Sequence, residues 1–553
     1  MKKEMKTVHS VKDEGVITFL GNDALYNAGL LGLMRVLDRM PNTGRFQGKF
    51  YKQGISGNTI DVDISAFDEH FVTAYFEEMT ERYQKDTVFV RFMMELNTFL
   101  ENESAIDEKA MEKFLKNGTI SKLSNEKGPY NAGYTILKEV YHVDYDFIEQ
   151  FKKIKASNSL SDQIHNLEIL REWCSDSQVR QILILKGIVL TRVKLFWQNV
   201  AFLKRQNLKK DIIQTYRDKF IAEIEAYVPS KRGEAVCFQC GIPLASGASS
   251  IAWVNDTLPD IARKTSGFWN HNADLKICPF CAIVYSCLPF GFSSFASESF
   301  FVNDFRTIGT LKAANNEESM DEELKKDGFA VVMNRFKKRE EKAVAKNALQ
   351  NVQVIRRNWG GYKVNTLTAE LLQAFSDLDD ELEALLKGNP FLFHSVIEQV
   401  LENKNLYDLL LKEYREALSN KKPFKSYLMK ILDIQNRMFV EKKGVRMTSE
   451  QKEKTPKERA YGAGMRMNAE LKKKDANAKK SIGTSYQLIN ALQTDNRSLF
   501  ASIIERMYIS NNMSIPKIFM EMLNDETEFQ IIGHAFIQGL NGYLPDMQEK
   551  TAY

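Results

Sequence analysis

The sequence predicts a predominantly α-helical protein with α/β elements near its N-terminus and an inserted zinc-ribbon-like module held by four cysteines. Apolar stripes with helical period recur along most of the 553 residues, whereas alternating apolar runs are few and short. Cysteines occur in two CxxC pairs in the middle of the chain. We expect four regions, namely a mixed but mostly helical N-terminal domain (1–230), a four-cysteine zinc-binding module (231–292), the remainder of the N-terminal region with short strands and a basic loop (293–365), and a C-terminal helical bundle (366–553).

The N-terminal residues predict a small α/β start. EGVITFL (14–20) is typical of a short strand, and Gly21, Asn22 and Asp23 end it. Asp23 can cap the following helix, LYNAGLLGLMRVLDRM, which carries a buried apolar stripe. A glycine-rich basic loop follows over 43–58, and TIDVDI (59–64) alternates as a second strand.

Residues from about 66 to 228 predict helices. A Gly-Pro turn precedes the helix expected over 128–140. The helical stretch over 178–227 is too long for one helix without internal caps, so we expect two helices or one long strut.

The cysteine pairs predict one structural Zn²⁺ site, with Cys237, Cys240, Cys278 and Cys281 as ligands. Two thiolates three residues apart on a tight turn can hold one metal at about 2.3 Å, and a second pair closes the tetrahedron. A four-cysteine site has no open position for water, so this metal should stabilise the fold and not catalyse. The alternatives are four unrelated buried cysteines or a redox-active pair. His271 lies between the pairs as a spare ligand.

The segments around and after the second pair predict strands and a core. SSIAWVNDT (249–257), FAVVM (329–333) and NVQVI (351–355) are typical of strands, and the phenylalanine-rich run over 287–307 favours core over base stacking. The loop over 356–366 is rich in cations and rings. It is either a nucleic-acid contact or an ordinary hairpin turn with a buried Trp, and its candidate contacts are Arg356, Arg357, Asn358, Trp359 and Lys363.

From about residue 366 the sequence predicts helices, interrupted by a basic linker over 444–467. Residues 441–480 hold 13 Lys/Arg against 6 Asp/Glu, while the whole chain has a net charge of only +4. Such a stretch is either a phosphate track or a solvated linker. The candidate phosphate contacts are Lys472, Lys473, Lys474, Lys479 and Lys480.

Composition indicates an ordinary globular protein, with 44% hydrophobic and 27% charged residues. Four of the six cysteines stand in metal-type pairs, which favours a reducing compartment. The polar N-terminus carries no secretory signal, and no apolar run approaches 18 residues. We therefore expect a cytoplasmic protein with no membrane association.

The sequence contains no phosphate-binding P-loop, no GxSxG elbow and no HExxH pair among its seven histidines. A metal with a closed ligand set and no histidine cluster favours binding over catalysis. We therefore expect that the protein is not an enzyme. The alternative is a zinc-dependent nucleic-acid enzyme such as a nuclease.

The double knuckle VCFQCG…ICPFCA, with TFLGNDALYNAGLLGLMRVL before it and FQIIGHAFIQGL near the end, resembles the CXXC–CXXC family of CRISPR-associated proteins. That family is the large subunit of the type I-B interference complex, Cascade. The resemblance implies a non-catalytic subunit of an RNA-guided complex in antiviral defence. It implies as partners crRNA, target double-stranded DNA, the backbone, 5′-handle-capping and small subunits, and a helicase–nuclease recruited on target binding.

The resemblance also implies roles for the two ends of the chain. The N-terminal part would recognise the protospacer-adjacent motif and start unwinding. From the residues themselves, our candidates for the duplex contact are the 356–363 loop and, in the 43–58 loop, Arg45, Lys49, Lys52 and Gln53. The C-terminal bundle would resemble the small subunit and line the displaced strand of the R-loop. A separate small subunit can arise from an internal start, for which the candidates are Met438, Met447, Met465 and Met467.

Overall fold

The computed structural model describes fourteen segments, and every structural statement below concerns these residues: 15–102, 106–227, 236–242, 244, 249–255, 275–295, 298–316, 352–368, 371, 374–375, 377–440, 455–474, 479–523 and 526–542. The fold is predominantly helical with small sheets, as the sequence predicts. The chain divides into two compact units. Unit 1 comprises the described residues of 1–319 and 353–364, and unit 2 comprises those of 320–352 and 365–553.

Unit 1 begins with a three-stranded antiparallel sheet and one helix. The strands β1 (Val16–Leu20), β2 (Tyr51–Gln53) and β3 (Thr59–Asp63) lie in the order β1-β3-β2. Helix α1 (Ala24–Leu37) follows β1, and the Asp23 side chain accepts a hydrogen bond from the backbone N–H of Tyr26. The predicted α/β start is confirmed, including its cap.

Helices fill the next part of unit 1. They are α2 (Glu69–Tyr83), α3 (Val88–Glu101), α4 (Glu108–Leu115), α5 (Gly118–Leu123), α6 (Pro129–Glu139), α7 (Phe147–Ala156), α8 (Leu160–Ser175), α9 (Ser177–Ile188), α10 (Lys194–Phe196), α11 (Ile212–Tyr216) and α12 (Ala222–Glu225). A π turn joins α9 to α10, and Trp197 then ends the helical run in an extended conformation. The 178–227 stretch therefore forms two helical runs, as predicted, and not one strut.

The cysteine segment places two short helices in the core of unit 1. Strands β4 (Ser249–Ser250) and β5 (Lys276–Ile277) pair antiparallel, and α13 (Pro279–Ser286) and α14 (Leu288–Gly291) follow. Every side chain of α13 from Phe280 onward is buried. SSIAWVNDT was predicted as a strand, and this is wrong beyond Ser250, because Ile251–Trp253 form a 3₁₀ turn.

Two glycines let α1 approach these short helices closely. A Cβ at Gly29 would lie 2.5 Å from the carbonyl oxygen of Val284, and one at Gly32 would lie 2.0 Å from that of Cys287. Any larger residue would collide with backbone there. The sequence of α1 therefore fits the contact with the segment after the second cysteine pair.

A four-stranded sheet completes unit 1, with the strand order β6-β7-β8-β9. The strands are β6 (Ser293–Phe295), β7 (Glu298–Asn303), β8 (Val352–Asn358) and β9 (Gly361–Leu367), and α15 (Ile308–Ala314) follows β7. The strand predicted over 351–355 is confirmed, whereas FAVVM lies outside the described residues. The phenylalanine-rich run is core, as predicted, since Phe290, Phe292, Phe300 and Phe301 are buried.

Beyond the end of β9, the described residues of unit 2 form helices and the turns between them. Its helices are α16 (Asp379–Gly388), α17 (Pro390–Leu401), α18 (Tyr407–Ser419), α19 (Tyr427–Gln435), α20 (Pro456–Lys474), α21 (Lys479–Gln493), α22 (Arg497–Ser510), α23 (Ile518–Glu521) and α24 (Glu526–Asn541). No helix among the described residues is long and apolar enough to cross a membrane.

The basic linker predicted over 444–467 is wrong from Pro456 onward, because α20 begins there. Close packing against α24 explains the helix. Cβ atoms at Gly464 and Gly539 would lie 2.2 Å from the carbonyl oxygens of Phe536 and Tyr461, respectively. The glycines that looked like linker residues therefore allow two helix backbones to touch.

Candidate metal centre

The four predicted cysteine ligands come together in one buried cluster. The sulfur atoms of Cys237, Cys240, Cys278 and Cys281 all lie within 4.8 Å of one another, and each side chain is at most 5% exposed. The Cys240 and Cys278 sulfurs are 3.7 Å apart. A tetrahedral site with metal–sulfur bonds of about 2.3 Å has edges of about 3.8 Å, so this spacing fits one metal ion.

The first knuckle is shaped by a tight turn. The Gly241 N–H donates to the Cys237 carbonyl at 2.7 Å, and Gly241 adopts a φ of +73°, which favours glycine. The Cys237 N–H donates to the Ile242 carbonyl at 2.8 Å, and the Phe238 N–H donates to the Lys276 carbonyl at 3.0 Å. These bonds tie the first knuckle to the strand that leads into the second.

The second knuckle is the start of α13. Cys278 is the N-cap residue, Pro279 follows at the first helical position, and the Cys281 N–H lies 3.3 Å from the Cys278 sulfur. The Cys278 N–H also donates to the Cys237 sulfur at 3.4 Å. Such N–H contacts favour the thiolate form, which is the form that binds metal.

Burial of the cluster makes a positive ion favourable to the ionised form of its thiols. Burial raises the pKa of the Cys278 and Cys281 thiols well above their usual range. Closely spaced buried thiolates repel one another, and a divalent cation offsets that repulsion. The donor set, its spacing and its burial all fit one closed four-sulfur metal centre.

Residues outside the CxxC pairs surround the cluster, and the sequence did not reveal them. The Tyr26 hydroxyl, from α1, lies 3.5 Å from the Cys281 sulfur. The Tyr285 hydroxyl donates to Gln239 at 3.0 Å, and the Gln239 amide donates to Asn22 at 2.6 Å. The first knuckle is therefore anchored to the N-terminal end of α1 and to α13.

The basic segment over 43–58 is largely exposed, and its prediction as a loop is wrong at Tyr51–Gln53, which form β2. Arg45, Lys49, Lys52 and Gln53 all lie at the surface, and the Lys52 ammonium stands 5.0 Å above the Phe46 ring. Two isolated antiparallel bridges hold the loop, between Gly44 and Gly48 and between Phe46 and Lys49. Ile55 is fully exposed near the end of this segment.

The 356–366 segment lies in a β-hairpin, as one of the two alternatives predicts, and two of its candidate contacts do not lie at the surface. Arg356 and Arg357 lie within β8 and are 2% and 3% exposed, so they face the interior and not a ligand in solvent. The Arg357 guanidinium donates to the Leu195 carbonyl and stacks 4.4 Å from the Tyr362 ring. Successive side chains of a strand point to opposite faces, and both faces of β8 are buried over Val354–Arg357, so both arginines are enclosed.

The tip of this hairpin remains at the surface. Trp359 is 64% exposed, so the alternative of a buried Trp is also wrong. Lys363 is exposed on β9. The Asn358 side chain is engaged within the hairpin, since it donates to Glu298 at 2.9 Å and accepts from the Gly360 N–H at 2.8 Å.

The lysines of the predicted phosphate track lie in helices of unit 2. Lys472 and Lys473 are exposed near the end of α20, and Lys473 forms an ion pair with Glu470 at 2.7 Å. Lys474 belongs to α20, and Lys479 and Lys480 belong to the start of α21. The structure thus brings the four cysteines together, whereas the basic candidates lie on separate elements.

Comparison with known proteins agrees with the cysteine cluster. Residues 231–293 match the family model described as CRISPR-associated protein (Cas_CXXC_CXXC). No curated protein and no solved structure matches the chain significantly. The matched residues contain both CxxC pairs and the helix that begins at the second pair. Over this segment, residues 231–293, the chain is similar to the CXXC–CXXC family of CRISPR-associated proteins.

Proposed function

We propose that this chain is the non-catalytic large subunit of a type I-B CRISPR surveillance complex. The observation that carries the proposal is the closed, buried four-cysteine cluster within the segment that matches the CXXC–CXXC family. In guide-directed systems base pairing reads the sequence, and the protein reads a short duplex motif and the nucleic-acid backbone. Such a subunit needs a rigid scaffold with exposed cations more than it needs catalytic residues.

The metal in this proposal is one structural Zn²⁺ per chain. Four thiolates at tetrahedral spacing are typical of structural zinc, which is bound without an open coordination position. Zinc of this kind contributes directly to folding free energy. Its role here is to hold the two knuckles and α13 in the core of unit 1.

The proposed contacts with the target duplex are the exposed residues of the 43–58 loop and the tip of the β8–β9 hairpin. Arg45, Lys49 and Lys52 offer cations to phosphates, and Trp359 offers a ring at the hairpin tip. The buried Arg356 and Arg357 have no part in this contact.

The proposed partners are crRNA, target double-stranded DNA, the backbone, 5′-handle-capping and small subunits, and a helicase–nuclease recruited to the bound target. Omission of this chain from the reconstituted complex tests the proposal. Guide-loaded particles with the chain should bind duplex carrying the adjacent motif in a salt-sensitive way, and particles without it should lose that motif dependence. Unchanged motif-dependent binding without the chain contradicts the proposal.

Charge removal within the 43–58 loop tests the contact itself. Arg45→Gln with Lys49→Gln and Lys52→Gln should weaken duplex binding by the loaded complex at least tenfold. The salt dependence should fall by about 0.9 logarithmic units per lost phosphate contact. Lys109→Gln with Lys113→Gln and Lys122→Gln removes the same charge from α4 and α5 and is the control. Equal losses in both variants contradict a specific contact.

The chain is proposed to bind and not to cut. The alternative is a zinc-dependent nuclease, and incubation of the isolated chain with labelled DNA or RNA and Mg²⁺, Mn²⁺ or Zn²⁺ separates the two. Intact substrate agrees with the proposal. Cleavage that disappears after substitution of one acidic residue or histidine supports the alternative.

A further inference from the structure

An open surface pocket of about 470 Å³, with polar and apolar lining, lies on unit 1 beside the cysteine segment. Three parts of the chain line it. They are the residues that follow α10, Lys219 in the π turn Arg217–Ile221, and β4 with the 3₁₀ turn that follows it. Its lining includes Gln198, Asn199, Lys204, Lys219, Ala252 and Trp253. Pockets of this size bind small ligands or single nucleotides.

The pocket is built by specific contacts between its two walls. The Gln198 N–H donates to the Trp253 carbonyl at 2.7 Å, and the Gln198 amide donates to the Ala252 carbonyl at 3.1 Å. Asn199 and Ala201 adopt φ values of +48° and +43°, which side chains other than glycine seldom adopt. These hydrogen bonds keep residues 198–201 in a backbone conformation that the same residues would not keep in a free loop.

Trp253 lines the pocket beside Ala252. Trp253 is 7% exposed, and its indole N–H has no hydrogen-bond partner among the described residues. Its ring packs edge-on against Trp197, with centroids 5.6 Å apart. The packing against Trp197 therefore fixes the Trp253 ring beside the pocket.

A run of cations continues from the pocket along the surface. Lys204, Arg205, Lys209 and Lys210 lie within seven residues, and the last three are exposed. In the part of the chain that the structure describes, none of the four forms an ion pair. Lys219, by contrast, is paired with Glu223 and donates to Ser249 at 2.6 Å, so it shapes the pocket more than it adds charge.

We propose that the pocket and this run, together called the Lys204 surface, bind a single-stranded nucleic acid. Lys204, Arg205, Lys209 and Lys210 contact successive phosphates, and one unstacked base enters the pocket beside Trp253. A duplex is not expected here, because its bases stay stacked and paired. The inference rests on the proposed function only for the source of the strand, which is the guide RNA or the displaced DNA.

Binding of labelled ten-nucleotide RNA and DNA by the full-length, metal-loaded chain tests the surface, with fluorescence anisotropy at several salt concentrations. Changing all four cations to Gln should weaken binding at least tenfold and reduce the salt slope by about 0.7 per lost contact. The control is the same charge change at Lys109, Lys113, Lys122 and Lys127, which should leave binding within about twofold. Wild-type binding by the first variant, or an equal loss in the control, overturns the proposal.

Two further measurements test the pocket apart from the charges. Ala252→Leu fills space without a charge change, so it should weaken binding several-fold with an unchanged salt slope. An oligonucleotide carrying 4-thiouridine or 4-thiothymidine should cross-link to peptides spanning 198–204 or 249–253. Cross-links confined to other peptides overturn the proposal. The RNA and DNA arms identify the source of the strand.

The outcome of this experiment is independent of the outcome of the test of the proposed function. It uses the isolated chain with single strands, whereas the earlier test uses the loaded complex with duplex DNA. If the isolated chain does not bind single strands at the Lys204 surface but the loaded complex recognises the motif, only the further inference is contradicted. If the chain binds single strands but the complex without it keeps motif recognition, only the proposed function is contradicted.

Discussion

Cys278 has two structural roles at once. Its sulfur belongs to the metal cluster, and its backbone position caps α13. Because the same residue closes the ligand set and starts a core helix, loss of the sulfur affects the core and not only a surface module.

We predict that Cys278→Ser reduces the zinc content from about one per chain to a small fraction and lowers the melting temperature. A serine hydroxyl is a poor zinc ligand, and structural zinc supplies folding free energy. Elemental analysis and thermal unfolding measure both effects. Cys174→Ala, which removes a buried cysteine outside the cluster, should keep the zinc. Freshly purified wild-type protein without zinc would contradict the prediction directly.

We also predict that Tyr26→Phe weakens zinc binding by about 10- to 100-fold while the fold is kept. The change removes only the hydroxyl that lies 3.5 Å from the Cys281 sulfur, and such outer contacts tune metal affinity. Competition with a chromogenic chelator gives the affinity. Tyr134→Phe is the control, because its hydroxyl donates to the Leu123 carbonyl at 3.1 Å, away from the cluster. Equal affinities in the two variants would show that the Tyr26 hydroxyl does not act on the metal.

At the residue scale the sequence could predict the ligands but not their surroundings. The CxxC spacing is local, so it identifies the cysteines without a fold. Tyr26 is 255 residues from Cys281, and only the tertiary structure brings them together. The sequence does not show that Arg356 and Arg357 are enclosed, because a pair of arginines looks the same in an exposed loop and in a strand that is buried on both faces.

At the scale of elements, the contact between α1 and the α13–α14 pair organises unit 1. Gly29 and Gly32 provide a narrow groove on α1 against which the backbone of Val284 and Cys287 lies. This arrangement couples the metal centre to the N-terminal helix through backbone contact.

Gly32→Ala should therefore destabilise unit 1. The new Cβ would lie 2.0 Å from the Cys287 carbonyl oxygen, so the helices must separate at a cost of about 1–3 kcal/mol or more. Chemical denaturation measures the loss. Gly118→Ala, where a Cβ meets nothing within 4 Å, should stay within about 1 kcal/mol of wild type. A Gly32→Ala protein as stable as the control would mean that α1 does not pack this closely.

His534 on α24 makes unit 2 sensitive to acid. The side chain is fully buried, its Nδ1 lies 3.2 Å from the Tyr414 hydroxyl, and burial lowers its pKa from 6.5 to about 3. The unfolded chain binds a proton below about pH 6.5, whereas the folded unit does not until about pH 3. Stability should therefore fall with falling pH across this window, by about 1.4 kcal/mol per unit at most.

Hydrogen exchange in α24 between pH 7 and pH 5 measures this effect. His534→Phe should remove part of the pH dependence of α24 protection, after correction for intrinsic exchange rates. His165→Gln, an exposed change, should leave that dependence as in the wild type. The same pH dependence in His534→Phe and wild type would count against a neutral buried histidine.

The sequence predicted elements best where local signals are strong. Asp23 before an apolar stripe and Gly128-Pro129 before another both mark real helix starts. The prediction failed at Pro456–Met467, where Gly464 suggested a linker but serves close helix packing. Local composition cannot distinguish these two uses of glycine, since the partner helix is about 70 residues away.

At the scale of the whole molecule, the C-terminal helices suggest which part can exist separately. Helix α20 packs along α24, and their glycines bring the backbones together. A start at Met465 or Met467 would remove the first half of α20, including Tyr461, whereas a start at Met438 or Met447 keeps it whole.

We therefore predict that a separately made C-terminal fragment is stable when it starts at Met438 or Met447 and unstable when it starts at Met465. Circular dichroism and limited proteolysis of the purified fragments compare them. Equal stability of the long and short fragments would contradict a requirement for the complete α20–α24 contact.

The central claim is that the cysteine cluster holds a structural zinc ion in the core of unit 1. The most direct measurement is hydrogen exchange of the full chain before and after zinc removal by a strong chelator, with the released zinc quantified. We predict about one zinc per chain and a joint loss of protection in α1 and α13, while α24 in unit 2 stays protected. Release of zinc without any change in α1 and α13, or absence of zinc from the native protein, would contradict the claim.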